Sequence, residues 1–84
     1  MGDLRVMKPN KGDIRLMWDK DNVNEVATAR AAFDEAMNQR DPRTNRRLNT
    51  AYRVLRNGEP GDIVTEFDPN AEKLLVAPQM SGGA

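Results

Sequence analysis

The sequence predicts an α+β fold: a mixed sheet of four or five strands with one helix packed on one face. Short segments that alternate apolar and polar residues, or run apolar without interruption, mark the strands. One longer segment repeats its apolar residues at spacings of three and four, which marks a helix. In 84 residues nothing but the sheet can cover that helical stripe, so the two form layers of one small domain.

LRVM (4–7) and DIRLMW (13–18) both alternate. Leu4 and Val6 share one face, as do Ile14, Leu16 and Trp18. The intervening KPNKG supplies turn residues, and Gly12 is expected to take the positive φ that closes the hairpin. Asn22 and Glu25 have capping-box spacing, in which the asparagine accepts from first-turn amides and Glu25 reaches back to the cap, with Asp21 as a competing start. From there Val23, Val26, Ala29, Phe33 and Met37 form one apolar stripe, and Arg40-Asp41-Pro42 is expected to end the helix.

Residues 40–50 (RDPRTNRRLNT) are polar, aperiodic and basic, and predict a loop longer than the usual connection of about 4–6 residues. AYRVLR (51–56) and DIVTEF (62–67) are read as strands separated by the turn residues NGEPG, the second with Ile63, Thr65 and Phe67 on one face. In DPNAE (68–72), Asp68 can cap and Pro69 fits a first helical position, so a single turn is expected. KLLVAP (73–78) reads as a central strand buried on both faces.

Composition excludes several functions. Lysine plus arginine equals aspartate plus glutamate at 13 each, so no overall field draws the chain to nucleic acid or to a membrane. The absence of cysteine and histidine removes disulfides, thiolate nucleophiles and the usual zinc ligands, and leaves no side chain that ordinarily titrates near neutral pH. Catalysis would rest on carboxylates alone, so the chain is expected not to be an enzyme and to need no cofactor or metal. The acidic DKDN (19–22) lacks the spacing of a calcium loop, and helix capping accounts for it. No apolar run approaches the roughly 20 residues that span a bilayer. Residues 1–10 lack the apolar core of a signal peptide, so a soluble cytoplasmic protein is expected.

The order of elements fits a β-grasp arrangement, in which the final strand runs parallel to the first and lies between it and the third. That order is similar to ubiquitin and to the sulfur-carrier proteins of thiamin and molybdopterin synthesis. The ending LLVAPQMSGGA strengthens the likeness. After a buried last strand, Pro78, Gln79, Met80 and Ser81 lead to Gly82-Gly83, and this resembles the carrier proteins' tail. As sequence, the resemblance is confined to residues 74–83.

The resemblance implies a domain of residues 1–78, with residues 79–84 as a flexible tail whose terminal glycine carboxyl is activated. Two glycines without Cβ atoms can thread a narrow enzyme channel. Its implied partners are an activating enzyme and a processing peptidase, because Ala84 follows the glycine pair where active family members end in glycine. The arginine loop is a second departure, being longer than a compact β-grasp domain needs.

A different class of function fits the same residues: a small structural or accessory protein of a virion or other assembly, docking non-covalently on neighbouring subunits through sheet, loop and tail. Arg40, Arg43, Arg46 and Arg47 form a candidate phosphate- or partner-binding loop or a solvated one. Neutral net charge and a lone nearby aromatic, Tyr52, disfavour nucleic acid. Gly82-Gly83 is either that acting tail or a frayed end. Trp18 is read as core and Met80 as part of the tail.

Overall fold

The strand with the longest apolar run takes the middle of the sheet. The computed structural model describes residues 1–8, 12–55 and 57–78. Its strands are β1 (Gly2–Val6), β2 (Ile14–Trp18), β3 (Asn49–Val54), β4 (Pro60–Val64) and β5 (Lys73–Pro78), with one helix, α1 (Val23–Met37), between β2 and β3. They form one sheet in the order β2-β1-β5-β3-β4. β5 runs parallel to β1, with Leu4 opposite Leu74 and Val6 opposite Val76, and antiparallel to β3, with Ala51 opposite Val76. This is the β-grasp layout predicted from the order of elements.

β1 and β2 pair antiparallel with Leu4 opposite Leu16, as their alternation requires, and Gly12 has φ +77°. Leu4, Val6, Leu74, Val76 and Ala51 face the helix, which lays Ala29, Phe33, Ala36 and Met37 on them. Trp18 is fully buried, and its indole N–H donates to the Pro69 carbonyl at 3.0 Å. Burial thus leaves no polar atom of that ring unsatisfied. Phe67 lies between the other two rings, 4.9 Å from Trp18 and 5.9 Å from Phe33 by centroid. The single turn expected at 68–72 is present, with the Ala71 amide donating to the Asp68 carbonyl at 3.1 Å and the Asn70 amide to Asp68 Oδ1 at 2.9 Å.

The helix start departs slightly from the predicted box. Asn22 Oδ1 accepts from the amides of Asn24 and Glu25, both at 3.1 Å, as the spacing requires. Glu25 Oε1, however, accepts from the Asp19 amide at 2.8 Å, and Oε2 accepts from the Asn22 side-chain amide at 3.2 Å. The Asn22 backbone amide donates instead to the Asp19 carbonyl at 2.9 Å.

Other expectations are corrected. The helix ends at Met37, before Arg40-Asp41-Pro42: the Gln39 amide turns to the Ala36 carbonyl three residues back, and the Gln39 carbonyl pairs with Leu48 in the segment that follows. Val23 is not part of the buried stripe and is 80% exposed. Ten residues before Phe33, it lies about 80° round the helix from it. β4 stops at Val64, since the chain bends at Thr65 and Glu66. Ile63 therefore does not share a face with Phe67: it is 67% exposed, whereas Phe67 is buried in the core. β3 begins at Asn49, two residues before the expected start, and Arg56 lies outside the described residues. β5 spans the predicted residues but is buried on one face only, with Leu75 and Ala77 half-exposed on the other. The one helix covers one side of the sheet.

Candidate functional site

β5 ends at Pro78, and the predicted tail residues Gln79, Met80, Ser81, Gly82 and Gly83, with Ala84, lie outside the described residues. The site can be built up to that point. Asn49 is the ladder partner of Pro78 and the buried polar residue of the core, 7% exposed. Its side-chain amide donates to the Ala36 carbonyl at 2.8 Å and to Gln39 Oε1 at 3.2 Å. Helix C-termini leave carbonyls short of partners, and here a strand residue supplies a donor. One side chain therefore ties together the end of α1, the start of the following segment and the strand beside Pro78.

That following segment, expected as a long loop, is closed into a hairpin by backbone hydrogen bonds. The Leu48 amide donates to the Gln39 carbonyl at 3.0 Å and the Asp41 amide to the Arg46 carbonyl at 2.9 Å. Arg40 and Arg47 pair across it. The turn is held by Asp41, whose Oδ1 accepts from the Arg43 amide at 2.7 Å. Its carbonyl accepts from the Asn45 amide at 2.7 Å. Asn45 takes φ +58°, a left-handed conformation that asparagine tolerates better than most residues. The structure thus gathers Arg40, Arg43, Arg46 and Arg47 on one fixed element, all exposed. Arg40 also donates to the Asn45 carbonyl at 2.9 Å. The ion pairs among the described residues, Arg15–Asp3 and Arg53–Asp68, do not involve these arginines.

The face of the sheet turned away from α1 carries a feature not foreseen from the sequence. Cross-strand partners line up as Arg15, Arg5, Leu75, Tyr52 and Ile63, one residue from each of the five strands. The basic end of this row is partly neutralised. Arg15 Nη2 donates to Asp3 Oδ2 at 2.9 Å and Nε to both carboxylate oxygens at 3.2 Å. This hydrogen bonding, and then the charge of Asp3, raise the guanidinium's pKa above its ordinary range. The other end is apolar, with Tyr52 and Val54 half-buried and Leu55 and Ile63 exposed. The sequence signal was present: each member of the row sits one position away from a core residue or its partner. Reading it required the register of all five strands.

The acids at 19–22 cap the helix as expected, with Asp19 Oδ1 accepting from the Asp21 amide at 2.9 Å. No helix of the described residues is long and apolar enough to cross a membrane. Comparison with known proteins finds no matching family model, no similar curated protein and no similar solved structure.

Proposed function

We propose that this chain is a ubiquitin-like modifier or carrier that acts through the carboxyl group of Gly83 once the bond to Ala84 has been cut. A processing peptidase would add water across that bond and free the Gly83 carboxylate. An activating enzyme would join the carboxylate to the adenylyl group of ATP, releasing pyrophosphate. The acyl group would then pass to a sulfur or amine nucleophile as AMP leaves. The chain supplies the acyl group and a rigid handle, and the partner supplies the catalytic groups.

The observation that supports this reading most is the placement of β5. It is hydrogen-bonded on both edges, to β1 and to β3, and ends at Pro78, the residue before the predicted tail. The Gly82-Gly83 ending supplies the chemistry.

A second reading, a small structural or accessory protein of a virion or other assembly, is favoured by the apolar end of the open sheet face, where Leu55 and Ile63 are exposed. Large apolar side chains exposed near one another mark a candidate docking site. Mass spectrometry of the protein from its native cells separates the two readings. The modifier reading expects a fraction that ends at Gly83, part of it carrying an adenylate, a thiocarboxylate or a link to a target amine. Universal retention of Ala84 would exclude it and leave the docking reading.

A further inference from the structure

We propose that the arginine hairpin of residues 39–48 is the docking element for the protein that receives the tail, and that it meets an acidic protein surface. The partner's identity rests on the modifier reading, while the hairpin's preference for carboxylates is tested separately. The register carries the argument. Leu48 closes the hairpin onto Gln39, and the next residue, Asn49, pairs with Pro78. The hairpin and the tail therefore leave the sheet at the same end and from adjacent strands. Gly83 lies five residues beyond Pro78, and an extended chain covers at most about 3.6 Å per residue. A protein holding Gly83 must then come within about 18 Å of Pro78, which is the ladder partner of the residue that follows the hairpin.

The hairpin is suited to that role by rigidity as well as charge. Its closing backbone hydrogen bonds brace the main chain, and Asn49 anchors its base, so less backbone ordering entropy is lost when the guanidinium groups engage a partner. Its one acid, Asp41, is engaged in holding the turn. Exposed like charges of this kind steer encounter with a complementary surface. Carboxylates fit better than nucleic acid. No aromatic residue lies between Phe33 and Tyr52 to stack a base, the Tyr52 side chain is on the open sheet face, and the chain's net charge is zero.

The test uses the full chain, labelled with nitrogen-15, titrated at low salt with decaglutamate and, separately, with a thymidine decanucleotide. Decaglutamate is expected to shift the amides of residues 39–48 and to weaken as salt is added. Arg46→Gln combined with Arg47→Gln is expected to weaken it about tenfold, while Arg15→Gln leaves it nearly unchanged. No shift, equal binding by the double variant, or tighter binding of the oligonucleotide would overturn the assignment. In native cells, the same double variant is expected to reduce the Gly83-ended or conjugated fraction several-fold, and an undiminished fraction also overturns it. Absence of that fraction from the wild type would overturn the modifier reading and the partner named here. The decaglutamate titration then measures the hairpin's chemistry on its own.

Discussion

Gly2 lies opposite Trp18 in the β1–β2 ladder, and a methyl group at Gly2 would fall inside the contact distance of the indole ring. The ring cannot retreat freely, since its N–H is held by the Pro69 carbonyl and its face by Phe67. Gly2→Ala is therefore expected to destabilise the fold by about 1–3 kcal/mol, as overpacking does. Urea unfolding followed by Trp18 fluorescence measures it. An unchanged midpoint would mean the strand end moves aside at no cost.

Phe33 is fully buried on the inner face of α1. Phe33→Ala is expected to cost roughly 3–5 kcal/mol, a large share of the about 5–10 kcal/mol usual for a domain of this size. Val23→Ala on the same helix, at an exposed position, should stay within about 0.5 kcal/mol of the wild type. Equal losses at the two positions would contradict the helix orientation.

Asn49→Ala removes a buried side-chain donor to the Ala36 carbonyl and to Gln39 Oε1. The Ala36 carbonyl keeps the Gln39 amide, so a loss of about 0.5–1.5 kcal/mol is expected. Hydrogen exchange should accelerate selectively at Asp41, Asn45 and Leu48, whose amides close the hairpin. Uniform acceleration across the chain would show that Asn49 supports the whole core and not this corner.

The Arg15–Asp3 pair makes a contribution to stability that mild alkali leaves unchanged. Its effect raises the folded-state pKa of Arg15, so its contribution is fully present below the guanidinium's ordinary pKa and is lost only as pH rises through the folded value. Between neutral pH and pH about 10, the difference in thermal midpoint between wild type and Arg15→Gln should therefore stay constant. It should be small and shrink with added salt, because the pair is exposed. A midpoint difference that collapses on mild alkalinisation would show that another group controls it.

Gly83→Trp tests the tail without touching the core. If the tail threads an enzyme channel, this substitution abolishes Gly83-linked species while the thermal midpoint stays within a degree or so of the wild type. The contrasting change is Ile63→Ser, on the exposed apolar end of the open sheet face. It should alter stability by less than about 0.5 kcal/mol. If that face docks neighbouring subunits, it should prevent incorporation into the assembly and leave tail processing unchanged.

Local pattern was sufficient for the elements whose burial follows from their own spacing. The alternation of Leu4, Val6, Leu16 and Trp18 specified the first hairpin, Asn22 specified the helix start, and the apolar run at 73–78 specified a central strand, because each signal lies within one short window. Elsewhere, partners distant in the chain decided the outcome. Trp18 bonds to a carbonyl 51 residues away. Phe67 leaves the strand pattern to fill the space between Trp18 and Phe33. The backbone bonds from Leu48 to Gln39 and from Asp41 to Arg46 close the expected loop into a basic hairpin, and Asn49 ties its base to the helix end beside Pro78. The row from Arg15 to Ile63 exists only once five registers are set. Periodicity specifies which residues of one segment share a face. Which face stays open, and which segments meet at one end of the sheet, depends on how five strands and one helix share a single core.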